Sequence, residues 1–287
     1  MIGGTRFRTI KNALALVFCS LLAFTGLFWL VFILWDILVQ GISYINFDLF
    51  FKDPGPPGFV GGGLRNAFIG HFLITGGAML IGIPIGVLGG TFLAEYGRFT
   101  RTGRLISNLS DIMLSVPTLV IGSFVYILFV RPFSQYNGWA GSLALAIILI
   151  PVVLRTTEDM MRAIPWHLRE AAFALGATYH SIIMKIVYRG AVSGILTGIM
   201  LSVARIAGEA APLLFTAFNS SFFTTDMNNA MPSLTVTIFQ YALGPFDEKH
   251  GIAWAASFVI VCSFLLITIL ARIIMSYRLH GKGYKFV

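Results

Sequence analysis

The chain has 287 residues, of which 57% are hydrophobic and only 11% charged, and its mean hydropathy is +0.84. That composition excludes a water-soluble globular domain. The formal charge of +8 raises the question of nucleic acid, but the positions of the basic residues answer it against such a partner. The reading is an all-α, polytopic membrane protein, since only helices and closed barrels satisfy every backbone group in lipid.

A bilayer is crossed by about 20 apolar residues in a helix. Six runs are read as spans: Ala13–Trp35, Phe68–Ala94, Ile112–Val130, Trp139–Leu154, Ala191–Phe218 and Ile252–Ala271. The fourth is short and carries Pro151 near its end. The first follows basic residues as a signal peptide does, yet its uncharged run exceeds a cleavable apolar region, so it is read as a retained helix. Cys19 and Cys262 fall inside spans and are read as membrane-buried thiols.

With the N-terminus inside, Arg6, Arg8, Lys11, Arg98, Arg101, Arg104, Arg155, Arg162, Arg169, Lys185, Arg189, Arg272, Arg278, Lys282 and Lys285 fall on one side. Lys52, Arg65, Arg131 and Lys249 fall on the other, and Arg205 lies within a span. This asymmetry places both termini in the cytoplasm, and it supports the fourth span, without which the Arg162–Arg189 cluster would move outside.

After the first span, Pro54, Gly55, Pro56, Pro57 and the triplet Gly61–Gly63 are turn chemistry. No Gly-Lys-Ser or Gly-Lys-Thr follows the triplet or occurs elsewhere, so ATP, if it drives this protein, is bound by another polypeptide. In the second span Ala78, Gly82, Gly86 and Gly90 recur every four residues, a face on which a second helix can approach closely. Pro84 in that span is expected to kink it. The arginines of the following loop are read as cytoplasmic anchors. The third span opens with Ser107, Asn108, Ser110 and Asp111, where the carboxylate reaches headgroup water, bonds inside the bundle or lies on the transport path. At the inner end of the fourth span Arg155 and Glu158 lie three residues apart, as interface anchors or as part of a polar path.

The longest charged segment between spans is Arg162–Gly190. Pro165 suits a helix start and Gly176 a left-handed end. Leu168, Ala171, Ala172 and Leu175 form an apolar stripe, with His167, Arg169 and Glu170 pointing elsewhere. Thr178 can cap a second helix carrying Ile182, Ile183, Ile186 and Val187. From pattern alone the segment is either a docking element or a loop packed on its own domain.

The fifth span holds Arg205 and Glu209 four residues apart, a spacing at which they pair on one helix face. An isolated charge at that depth costs roughly 2.5–3.5 kcal/mol, so the two must face the bundle interior or a wet cavity. Gly208 and Pro212 weaken the helix there, where freed backbone can line a path. An internal ion pair that fixes packing is the other reading. Between the last two spans, Leu234–Leu243 is a short helix or hairpin over the outer mouth. The five histidines have no ligand spacing, and no metal, cofactor or catalytic group is called for.

Glu170, Ala171, Ala172 and Gly176 resemble the cytoplasmic-loop pattern of ABC-importer permease subunits: Glu-Ala-Ala, three residues, then Gly. RIAGEAAPLLFTAF (205–218), DIMLSVPTLVIGSFVY (111–126), GGGLRNAFIG, FLAEYGR and PSLTVTIFQYA sharpen this to a resemblance, from about Gly61 onward, to the permease subunits of bacterial phosphate importers, the Pst system. The resemblance implies a type I ABC-importer permease fold with six transmembrane helices in the inner membrane. It divides the chain into an N-terminal helix and external loop (1–65), a permease core (66–275) with a coupling loop (157–190), and a basic cytoplasmic tail (276–287). The implied partners are a second homologous permease (PstC-like), an ATPase dimer (PstB-like), an external phosphate-binding protein (PstS-like), inorganic phosphate and the lipid bilayer. It also implies a docking helix at Pro165–Leu175, and positions matching Arg155, Glu158 and Arg205 that serve phosphate transport. From the residues themselves, Arg205 is expected to contact the anion, with Glu209 orienting and partly neutralising it. The family's loop-ending proline has no counterpart near Arg189, which leaves open the angle at which the loop joins the fifth span. A permease for another oxyanion and a self-contained secondary transporter are the alternative readings.

Overall fold

The computed structural model describes residues 3–56 and 61–280; Pro57, Lys282 and Lys285 lie outside the described residues. In chain order the helices are α1 (Gly3–Ile42), α2 (Phe47–Phe51), α3 (Arg65–Glu95), α4 (Arg101–Ser115), α5 (Thr118–Val125), α6 (Gly138–Arg162) and α7 (Trp166–Ala174), then α8 (Tyr179–Ile182), α9 (Tyr188–Ala207), α10 (Ala211–Thr216), α11 (Leu234–Leu243) and α12 (Asp247–His280). Wide π turns continue α5 through Tyr126–Val130 and join α8 to α9 through Ile183–Val187. Among the described residues five helical stretches are long and apolar enough to cross a membrane, and α4 with α5 makes a sixth if that bent pair is one span.

α6 is the axis of the bundle. Its buried Leu145, Leu149 and Val153 meet Ile74 and Ala78 of α3, Ile206 of α9 and Leu213 of α10. The small-residue face of α3 is the contact: Gly82 lies against Leu149, Gly86 against Val153 and Gly90 against the Leu154 carbonyl. In lipid such helices gain by dispersion from close approach, because the solvent is as apolar as they are. α3 runs without a break through Pro84, and α6 extends beyond its apolar run because Gly138 and the charged segment Arg155–Arg162 are helical too.

Two spans depart from the sequence expectation. The third is not straight: α4 and α5 meet at 105°. Pro117 has no N–H to continue α4, and Val116 before it is extended at φ −72°, ψ 130°. The fifth starts earlier and ends sooner than expected. Without a proline near Arg189 the helix is continuous from Tyr179 to Ala207, and Gly208 then closes it. α11 has the expected bounds, with the Ser233 side chain accepting from the Val236 N–H. α1 touches mainly α12, where Gly41 sits on Phe258 and Trp254, and the residues from Arg8 to Trp35 are exposed. The glycine turn is closed by Gly61 and Gly62 at φ +114° and +99°; a β-carbon on Gly62 would lie 2.4 Å from the Gly55 nitrogen.

Candidate functional site: two broken helices and an unpaired arginine

The bend at Val116–Pro117 and the gap between α9 and α10 come together. The Thr118 hydroxyl, at the start of α5, donates to a Glu209 carboxylate oxygen at 3.3 Å. Thr235, at the start of α11, donates to the Glu209 carbonyl at 3.0 Å. Gly122 allows the contact: a β-carbon there would be 2.6 Å from Pro212 Cα. A half-buried carboxylate therefore sits beside the start of α5, whose dipole favours negative charge.

Arg205 is not the partner of Glu209. The four-residue spacing pairs side chains only along an unbroken helix, and α9 ends at Ala207, between the two. Among the described residues no hydrogen bond or ion pair engages the Arg205 guanidinium, which is exposed. It closes one end of an open groove of about 590 Å³ that runs along α6 and α9 past Thr156, Met160, Ser193 and Thr197. Gly194 and Gly198 let the walls approach; a β-carbon on Gly198 would fall 2.0 Å from Thr156 Cγ2. The hydroxyls of Thr156, Thr197 and Ser202 donate to carbonyls of their own helices, so the groove is mostly apolar, dotted with satisfied hydroxyls, and carries no charge until Arg205. A free guanidinium presents five N–H donors in a fork that fits an oxyanion.

Arg155 and Glu158 lie in a different setting. Arg155 donates to Asp111 at 2.6 and 3.1 Å, to Glu158 at 2.8 Å, and to the Ser107 carbonyl and hydroxyl at 2.8 Å each. Glu158, with a side chain 3% exposed, also pairs with Arg162 at 2.7 Å. This network ties α4 to α6, and Asp111 bonds to Arg155 while its own side chain stays 61% exposed. Arg155→Met would free Asp111 and Ser107 while Arg162 still neutralises Glu158. The expected loss is about 1–3 kcal/mol of local stability, read as faster amide exchange confined to Arg101–Ser115.

At the same end of the bundle α7 lies largely uncovered. Glu170 and Ala171 are exposed, with Trp166, Leu168 and Leu175 beside them, Leu175 at 88%. Gly176 ends the helix at φ +79°, and the Ala177 N–H bonds back to the Ala172 carbonyl at 3.1 Å. Pro165 is the residue just before the helix, and Thr178 caps α8 as expected. Two residues differ from the expected faces. Ala172 is buried among Met161, Ile182 and Val187. Arg169 is also buried, because a carboxylate on α3, Glu95, meets it at 2.7 Å. The roles of Glu95, Thr118 and Thr235 were not visible as pattern, since each depends on a neighbour distant in sequence.

Residues 82–277 match the family model described as "Binding-protein-dependent transport system inner membrane component". The chain is 46% identical to the phosphate transport system permease protein PstA of Haemophilus influenzae, over 95% of this chain and 96% of that one. It is 47% identical to the PstA of Pasteurella multocida over 93% and 95%, and 37% identical to a probable PstA of Methanocaldococcus jannaschii over 74% and 75%. Among solved structures, an inward-facing MetNI methionine ABC transporter aligns with TM-score 0.57 at 20% identity, covering 74% of this chain and 94% of that one. An amino acid ABC transporter aligns with TM-score 0.52 at 20% identity, covering 72% and 91%. The fold is therefore that of ABC-importer permeases, and the chain belongs to the family of phosphate transport permease proteins within the binding-protein-dependent inner membrane components.

Proposed function

We propose that this chain is one of two homologous permease subunits of an ATP-driven importer of inorganic phosphate in the bacterial inner membrane, with both termini in the cytoplasm. It is a transport subunit and carries out no chemistry of its own: a partner ATPase dimer hydrolyses ATP, and an external binding protein delivers the anion. The observation that carries the reading is the unpaired Arg205, among the described residues the one charged group lining a mostly apolar groove dotted with hydroxyls, within a span and beside two broken helices. An anion leaving water needs donors that replace its hydration, and an arginine already neutralised by an ion pair would supply them poorly. Glu209 is held by Thr118 and Thr235 and leaves the guanidinium unoccupied, and a single arginine with no second cation beside it in the groove lining keeps binding weak enough for release.

In this reading α7 seats on the ATPase through Glu170, Ala171 and the exposed Leu168 and Leu175, and ATP-driven movement of α7 biases the permease pair between outward and inward access. Ala172 and Gly176 act by holding the helix and its end in shape. Purifying the protein from its own membranes and identifying its companions tests the class: an ATPase and a second permease are expected, whereas a lone chain able to transport phosphate would sink the reading. Glu170→Arg combined with Gly176→Val should lower ATPase recovery by about tenfold, since valine at a positive φ costs on the order of 1–3 kcal/mol. Full recovery and full uptake by that variant would remove α7 from the interface.

A further inference from the structure

The cluster around Glu95 has no part in the groove or in the exposed face of α7, yet it is the most deeply buried ion pair among the described residues. The side chains of Arg169 and Glu95 are 5% and 1% exposed. Arg169 donates from Nη2 to Glu95 Oε1 at 2.7 Å, from Nη1 to the Ile164 carbonyl at 2.7 Å and from Nη2 to the Met161 carbonyl at 3.1 Å. The Tyr179 hydroxyl donates at 3.0 Å toward both Glu95 Oε2 and the Glu95 carbonyl. The Tyr179 ring stacks on Phe173 of α7 at 5.9 Å and meets Tyr96 edge-on at 5.4 Å.

Four segments are thereby joined at one point: the end of α3, the end of α6, α7 and the start of α8. Stability alone is a weak reason for this arrangement, since apolar residues of similar volume hold a core as well as a buried ion pair does. A guanidinium fixed by a carboxylate and two carbonyls instead sets direction: α7 can neither rotate nor slide relative to α3 without breaking charged hydrogen bonds in a dry environment. α3 in turn rests on α6 through Gly82, Gly86 and Gly90, a contact with little side-chain give. A displacement of α7 therefore reaches α3 and α6 as a rigid movement, in addition to whatever passes along the chain into α9.

We infer that Glu95, Arg169 and Tyr179 are positioning residues that transmit movement of α7 to α3, so that ATP hydrolysis is converted into transport. The inference rests on the reading of α7 as the ATPase-docking helix. The test uses the complete importer, with its second permease, ATPase and binding protein, reconstituted in liposomes. Two variants are compared with the unaltered chain: Tyr179→Phe, which keeps the ring contacts and removes the bonds to Glu95, and Glu95→Leu with Arg169→Met, which replaces the pair by apolar side chains. Assembly and ATPase rate should stay within about twofold, while phosphate moved per ATP falls about threefold in the first and about tenfold in the second. An unchanged phosphate-to-ATP ratio in both overturns the inference, and if the double variant does not assemble, Tyr179→Phe alone decides. A second readout needs no ATPase. Spin labels on Ala174→Cys and Arg98→Cys, with Cys19 and Cys262 replaced by serine, should give a narrow distance distribution that broadens in the double variant, and an equally narrow one overturns the inference. Failure of Glu170→Cys to cross-link to the ATPase would count against the docking reading and leave the spin-label result to judge the link.

Discussion

Arg205→Gln should abolish phosphate uptake, lowering it by at least about a hundredfold, while the protein remains folded, assembled and able to support ATP hydrolysis. Hydrogen bonds to charged groups contribute about 1.5–3 kcal/mol each, so losing two from a bidentate contact costs about 3 kcal/mol or more, and each 1.4 kcal/mol is about tenfold in rate. Arg205→Lys keeps the charge but not the fork and should fall between the two. The absence of a partner within the described residues separates this effect from instability: Arg205 braces nothing, so the melting temperature should move by no more than about 1–2 °C. Arg155 provides the contrast, because five hydrogen bonds hold it and its loss should be felt in the fold first. Radiolabelled phosphate uptake into proteoliposomes, measured beside thermal melting, tests both halves of the expectation, and normal uptake by Arg205→Gln would place the anion's path elsewhere.

Gly90→Val should leave little or no protein that survives detergent extraction. A β-carbon at Gly90 would lie 2.4 Å from the Leu154 carbonyl oxygen, 2.7 Å from Thr157 Cβ and 3.1 Å from the Glu158 nitrogen. Two of those three atoms are backbone, so no rotamer change relieves the clash and the helices must part. Overpacking of a well-packed site costs about 1–3 kcal/mol and occasionally more; here the upper end or beyond is expected, because separation also forfeits contacts along Gly82 and Gly86. Gly76 on the same helix is the control, since a β-carbon there meets nothing within 4 Å. Gly76→Ala should be neutral by size-exclusion recovery and melting, and equal recovery of both variants would show that the α3–α6 contact does not depend on small residues.

Much of the fold was legible because lipid imposes a simple pattern: long apolar runs gave the spans, and the repeat from Ala78 to Gly90 gave the face on which α3 meets α6. Local stop and start signals were equally readable, as with Ser233 before α11 and the left-handed Gly176 after α7. Hydropathy carries no direction, however, so the apolar tract after Asp111 concealed a right-angled turn that Pro117 makes possible. The Arg205–Glu209 pairing failed for a related reason. Spacing rules presume an unbroken helix, and Gly208 with Pro212, though visible in the same stretch, decided that the helix stops between the two charges. Arg169 shows the other limit, since its burial depends on Glu95, a residue of a different helix that no periodicity links to it.

The wide turn at Ile183–Val187 sets the phase of everything beyond it. Such a turn accommodates one residue more than an α-helix does over the same rise, and one residue is roughly 100° of rotation about the axis. The direction in which Arg205 faces is thus fixed some 20 residues earlier, in the turn that follows α8 and just before the first groove residue, Ser193. The register of Arg205 and the seating of α7 are, in that sense, written into a single segment of chain.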